Sequence, residues 1–276
     1  QGIPVIAGNV DASSAALEAG VIGRGEAAEM TGTSSCFMLG CDQWPSSINL
    51  VSIHHAIKGH DLLIGPISST GACLKWYRDQ LGACTEDEKA IFERQPYIYM
   101  DELAAACAPT GKLVFLPYMA GERTPLWNIH ARGVLFGLTH STTRGQIIRS
   151  ILEGSSFALK HTLVEAEKSG QSIKSISSVG GGSKSRIWLQ IKADVLNRPI
   201  STLKHSSSGA FGNALLAGYG VGLITNIRDI VQQKIHIRET FYPQADAVRR
   251  YSRLYDIFRN IYEHTRDDFA DLAAVE

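Results

Sequence analysis

Short apolar runs alternate along this chain with stretches whose apolar residues recur at helical spacing, and glycine-rich turns separate the two. That alternation predicts an α/β domain. Residues 3–8, an apolar run read as a strand, lead through Asn9-Val10-Asp11 into a small-residue helix from Ala12 to Ala19 that Gly20 closes. Residues 112–119 form a second predicted strand, running into Ala120-Gly121-Glu122-Arg123-Thr124-Pro125. Residues 173–179 form a third, followed by Gly180-Gly181-Gly182-Ser183-Lys184-Ser185 and a helix from Arg186 to Asn197.

Longer periodicities frame these segments. From Thr142 or Thr143 onward, Ile147, Ile148, Ile151, Leu152, Ser155, Ala158, Leu159 and Thr162 fall on one face of a long helix. Near the end of the chain Val248, Tyr251, Leu254, Tyr255, Phe258, Ile261 and Tyr262 repeat the pattern, and such an aromatic stripe belongs in a core. No repeat and no low-complexity linker interrupts the chain, so residues 1–276 are read as one domain, with residues 85–110 as a local excursion.

Composition narrows the function classes. With 44% hydrophobic and 20% charged residues, a packed core is expected. The 27 basic and 27 acidic residues cancel, and no basic run is long enough to track a polyanion, so nucleic acid is not an expected partner. No apolar stretch approaches the roughly 18 residues that span a bilayer, and the opening residues carry neither a basic nor an apolar leader, so no membrane is expected and the cytoplasm is the expected compartment. Cys36, Cys41, Cys73, Cys84 and Cys107 are odd in number and lack CxxC spacing, which argues for reduced thiols rather than disulfides or zinc. The abrupt opening at Gln1 is expected to be a cut from something longer.

Several positions carry candidate chemistry, each with a plainer alternative. Asp11 stands between a strand end and a helix start, where it would cap the helix by accepting the amide of Ser13 or Ser14, or project a carboxylate into a cleft to accept a hydroxyl proton. Thr31-Gly32-Thr33-Ser34-Ser35 is a hairpin turn with Gly32 at positive φ, or a loop whose backbone and hydroxyls approach a phosphate. The three glycines at 180–182 cost more backbone entropy than a turn requires, so something is expected to come close to that backbone. With a helix starting behind them they suit a nucleotide, Ser185 donating a hydrogen bond, and their spacing matches neither GxGxxG nor the P-loop. Lys184 is read as a solvated charge, and Glu122-Arg123 as a structural ion pair holding its loop. The nine histidines show no metal-ligand spacing, and adjacent His54 and His55 point to opposite sides, so no metal site is expected from this chain alone.

Taken together, the residues resemble the C-terminal domain of the FGGY carbohydrate kinases. The resemblance runs in order from residue 3 to about residue 224. It rests on Phe115-Leu116-Pro117-Tyr118-Met119-Ala120-Gly121-Glu122-Arg123-Thr124-Pro125, Ala131-Arg132-Gly133 with Phe136-Gly137-Leu138, Glu153-Gly154, and Gly180-Gly181-Gly182 with Trp188 and Ala193-Asp194-Val195-Leu196. Asn9-Val10 and Ser206-Ser207-Ser208-Gly209 depart from the family pattern. The resemblance implies an actin-like, ribonuclease H-like α/β fold, a mixed sheet flanked by helices, most like the xylulokinase branch. It implies that this chain is the nucleotide-binding half of the kinase, the N-terminal sugar-binding domain being absent. Asp11 then matches the catalytic base, Gly32, Thr33 and Ser34 the second phosphate loop, Gly71 and Lys75 a helix start lining the nucleotide, and Gly180, Gly181 and Ser185 the adenosine motif. The implied reaction transfers the γ-phosphoryl group of ATP, with Mg²⁺, to a sugar or polyol hydroxyl. A chaperone-type actin-like ATPase, and a non-catalytic module pairing with itself as a homodimer, stand as the alternatives.

Overall fold

The computed structural model describes residues 2–82, 85–107, 112–205 and 209–275; Gln1, Cys84 and the serines at 206, 207 and 208 noted above lie outside the described residues. In chain order the elements are helix α1 (Asp11–Glu18), strands β1 (Ala27–Thr31), β2 (Ser35–Cys41), β3 (Val51–His54) and β4 (Asp61–Ile67), then helices α2 (Gly71–Leu81), α3 (Glu86–Arg94) and α4 (Pro96–Ala105). Strands β5 (Val114–Leu116) and β6 (Val134–Phe136) precede helix α5 (Arg144–Glu167), strand β7 (Ile176–Val179) and helix α6 (Arg186–Leu196). Strand β8 (Ile200–Leu203), helices α7 (Ala210–Gly220) and α8 (Ile227–Lys234), strand β9 (Ile237–Phe241) and helix α9 (Ala245–Ala273) complete the chain.

The main sheet runs β3-β4-β2-β1-β7-β8-β9, with β5 and β6 paired apart from it. Its centre is parallel, β1 beside β7 beside β8, and the remaining pairs are antiparallel. Helices cover both faces, which is why every residue of β2 is buried. The side-chain period of two then splits the strand: Phe37, Leu39 and Cys41 join the core under α5, α6 and α9, while Cys36 and Met38 join the smaller core under α1. The aromatic stripe of α9 packs as its spacing predicts, with Tyr251, Leu254, Tyr255, Phe258, Ile261 and Tyr262 all buried.

Three expectations need correction. Residues 3–8 are not a strand: they pair with no described strand, and Ile3 and Val5 stand 84% and 92% exposed. An apolar run becomes a strand only when another backbone satisfies its amides and carbonyls, and the local sequence does not encode that partner. Helix α5, read as burying one face, is enclosed nearly all round. It starts on the predicted cap, Thr143 and Gln146 forming a reciprocal capping box. Gly154 lets it approach within contact of the Phe115 carbonyl, where a Cβ would stand 2.1 Å from the oxygen. Nor is the segment from residue 85 an excursion over its described residues, 85–107, because Met100 and Ala104, one turn apart on α4, are buried in the main core; residues 108–110 lie outside the described residues. Pro96 at the start of α4 and that spacing were the available signals.

Candidate functional site

Because β1 and β7 are parallel neighbours, the turns that follow them lie at one edge of the sheet, where α/β folds place their ligands. A cavity of about 500 Å³ opens there. Gly32 and Thr33 line it after β1, and Gly181, Gly182, Lys184 and Ser185 after β7. Gly71, Ala72, Leu74 and Lys75 come from the start of α2, Tyr97, Ile98, Met100 and Asp101 from α4, and Trp188 from the first turn of α6. Six of the residues singled out from the sequence, Gly32, Thr33, Gly71, Lys75, Gly181 and Ser185, therefore share one cavity. Ser34 and Asp11 do not line it, and Gly180 precedes the lining turn.

Local packing explains the glycines differently from the expectation. Gly32 is not at positive φ, and a Cβ on it would meet only the Ser34 carbonyl at 3.8 Å. The demand falls on Gly71, whose Cβ would lie 2.2 Å from the Gly32 carbonyl, while Thr33 accepts hydrogen bonds from Thr70 and Ala72 at 3.2 and 2.9 Å. In the triple glycine, Gly180 has φ +84° and a Cβ on it would stand 2.6 Å from the Thr31 carbonyl oxygen, while a Cβ on Gly182 would stand 2.6 Å from the Thr31 methyl. What comes close to that backbone is thus Thr31. Gly181 is the one of the three with room for a side chain: it lines the cavity, and a Cβ on it would meet nothing closer than the Thr31 carbonyl oxygen at 3.9 Å.

Two helix N-termini, of α2 and α6, meet at the cavity and turn their positive ends to it. Ser185 is occupied as the cap of α6, accepting from the Trp188 amide at 3.2 Å. Burial pushes the Asp101 carboxyl up, with the Ser185 hydroxyl opposing the rise. Lys75 pairs with Asp79 at 2.6 Å on the exposed side of α2, and Lys184, though exposed, lines the cavity rather than standing apart from it. Tyr97, Ile98 and Asp101 escaped the sequence reading because they belong to the segment set aside as an excursion. Trp188 appeared there only as a motif residue.

Asp11 occupies a different setting. It is the first residue of α1, with Val10 at the cap, and Ser13 and Ser14 donate to the Val10 carbonyl rather than to Asp11. The capping alternative is therefore not met at those amides; among the described residues Asp11 accepts the next amide, of Ala12, at 2.7 Å, and it is exposed. Burial pushes the Cys36 thiol up to about 12, with the Asp11 charge adding to the rise and Arg123 opposing it, so both charged groups lie near the start of β2.

The expected Glu122–Arg123 ion pair is replaced by a backbone staple. Glu122, 3% exposed, accepts the amides of Ser68 and Arg123 at 2.7 and 2.8 Å, tying its loop to the segment before α2, while the Arg123 guanidinium reaches the Ile67 carbonyl. Burial pushes the Glu122 carboxyl up to about 7. Among the described residues no group of three or more His, Cys, Asp or Glu stands together as a metal site.

Comparison with known proteins bears on what this edge of the sheet belongs to. The FGGY family of carbohydrate kinases, C-terminal domain, matches residues 27–221. The chain belongs to that family. The FGGY domain is 31% identical over 99% of its length to a xylulose kinase of Staphylococcus epidermidis, covering 54% of that protein, and 27% identical over 98% to a gluconokinase of Bacillus licheniformis, covering 53%. The crystal structure of xylulose kinase from Rhodospirillum rubrum superposes with a TM-score of 0.83 at 29% identity, covering 98% of this chain and 53% of that one. The chain spans about half the length of the curated relatives it matches. The mixed sheet with helices on both faces is the actin-like fold of these FGGY kinases.

Proposed function

We propose that this FGGY domain is the ATP-binding half of a carbohydrate kinase that transfers the γ-phosphoryl group to a sugar or polyol hydroxyl, a xylulose-like ketose being the favoured acceptor. The observation that carries the reading is the cavity itself: two glycine-bearing turns and two helix N-termini converge on a space with an apolar wall of Leu74, Ile98, Met100 and Trp188. The apolar side suits a purine, and the helix ends suit phosphates. Gly32, Thr33, Ser34, Gly71 and Lys75 would attend the phosphates, and Gly180, Gly181 and Ser185 the adenosine. Asp11 would take the proton from the acceptor hydroxyl, and an exposed carboxylate near the start of β2, outside the cavity but beside its first turn, suits that role. Mg²⁺ would enter on the nucleotide's own phosphate oxygens; among the described residues no cluster of three or more His, Cys, Asp or Glu stands ready to hold it.

The acceptor specificity and the rest of the catalytic machinery are assigned to a partner domain. We assign the protein to the cytoplasm; no described helix is long and apolar enough to cross a membrane.

Calorimetric titration with Mg-ADP tests the reading. Saturable binding is expected, and Gly181→Val should abolish it without unfolding the chain, because that position opens into the cavity. Binding unchanged by Gly181→Val would remove the cavity as the nucleotide site.

A further inference from the structure

Beneath the cavity lies a chain of buried polar groups that none of the proposed roles uses. Lys192 on α6, 1% exposed, donates to Glu29 on β1 at 2.6 Å and to the Thr31 hydroxyl at 2.9 Å. Its ammonium also lies 4.7 Å from the centre of the Trp188 ring, which forms part of the cavity lining. Ser178 on β7 donates to the same Glu29 carboxylate. Thr31 donates to Glu29 at 2.5 Å, and its oxygen lies 3.0 Å from the Ser35 hydroxyl, which lies 2.8 Å from that of Thr70.

These bonds have a fixed direction. A hydroxyl carries one proton, and that of Thr31 is committed to Glu29. Ser35 must then donate to Thr31, and Thr70 to Ser35, so that the chain runs from Thr70 through Ser35 and Thr31 to the carboxylate. Two of its members stand behind the two walls of the cavity. Thr70 is the cap residue of α2, and its side chain makes no capping bond, being committed to Ser35 instead. Thr31 is the residue against which Gly180 and Gly182 pack.

We propose that the Lys192–Glu29 pair, acting through the Thr31 hydroxyl, is a positioning device that holds the α2 wall and the triple-glycine wall in one fixed relation; the proposal rests on the nucleotide reading for its purpose and not for its geometry. Desolvating two charges makes a buried ion pair a poor source of stability, and fixing one arrangement among several is its better attested use. Here the pair polarises a one-way hydroxyl chain in a low-dielectric interior, where each bond strengthens the next. None of these residues touches the cavity's contents, so they act by placing Gly32, Thr33 and Gly71 against Gly181 and Gly182.

The decisive variant is Thr31→Val, which keeps the methyl contact with Gly182 and deletes the hydroxyl. Thr31→Ser keeps the hydroxyl and serves as the rescue. Amide hydrogen exchange should accelerate about tenfold at Ala72, Ser183 and Ser185 in Thr31→Val, the size expected from one lost hydrogen bond, while the interior of α5 stays at its wild-type rate. Thr31→Ser should restore the rates. Lys192→Met should reproduce the pattern by removing the charge, and the Kd for Mg-ADP should rise in step with exchange. Unchanged exchange at the three amides, or acceleration spread equally through α5, would overturn the proposal. If the wild-type chain takes up no nucleotide, the functional reading falls, and the exchange pattern still decides whether the two walls are coupled.

Discussion

The cavity and the segment that presents Asp11 are built in opposite ways. Around the cavity every approach is fixed from behind: Gly71 on Gly32, Gly180 and Gly182 on Thr31, and a buried ion pair beneath. Residues 2–10 carry no regular secondary structure, are largely exposed and join no described strand, and among the described residues Asp11 at their end makes one local hydrogen bond. On the proposed reading, a nucleotide would find its site formed within this chain. The proton acceptor proposed for the acceptor hydroxyl depends on surroundings that this chain supplies only in part. Binding and chemistry should therefore be separable by mutation.

The largest separation is expected at Asp11. In the complete enzyme Asp11→Asn should lower turnover by at least about 100-fold with Mg-ADP affinity nearly kept, as loss of a general base requires. Steady-state kinetics beside calorimetry checks it, and near-normal turnover would erase the contrast between the two regions.

Next in size is the loop that Glu122 staples to the segment before α2. With the carboxyl raised by burial from 4.5 to about 7, the folded chain holds a proton there that the unfolded chain has released, so this contribution is full below 4.5 and is lost as pH rises through 7. His161 acts in the opposite sense. Burial, helped by Arg259, lowers it from 6.5 to about 4, so its contribution is full above 6.5 and is lost as pH falls toward 4. His55, lowered mainly by burial, adds to the second trend. Between 4.5 and 6.5 the slopes from Glu122 and His161 oppose each other. Glu122→Gln should unmask the histidines, so that stability rises with pH across this window by up to about 3 kcal/mol more than in the wild type. Urea midpoints measured through the window check the sign; a variant profile parallel to the wild type would clear Glu122 of any titration there.

The smallest effect is expected at Lys75, whose side chain is 59% exposed and paired with Asp79. Lys75→Ala should weaken Mg-ADP binding about fivefold, with little change in unfolding and a smaller effect at high salt. A loss as large as that of Gly181→Val would mean that the exposed rim, and not the glycine turns, dominates phosphate recognition.

How much of this was legible in the sequence follows from the range of each signal. Local chemistry read well: the Thr143 cap, the α9 stripe and the strand–glycine–helix unit around residue 180 are all encoded within a few turns of chain. Six cavity residues came from motif positions. The failures are non-local. Residues 3–8 have strand composition and no partner strand, Glu122 found backbone amides rather than the adjacent guanidinium, and α4 became a wall because its Met100 and Ala104 met a core formed by elements far along the chain. The Lys192–Glu29 pair had no sequence signal, since neither residue stands in a motif and nothing in either neighbourhood names the other.

That pair also orders events in time. Lys192 and Glu29 are 163 residues apart, and β1 gains its parallel neighbour β7 only after the intervening chain has emerged. At ribosomal rates of about 5–20 residues per second, β1 waits roughly ten to thirty seconds for the residues that complete its edge. A nascent chain that ends before α6 therefore holds Glu29 and the first cavity turn without the partners that order them, so β1 is completed only late in synthesis.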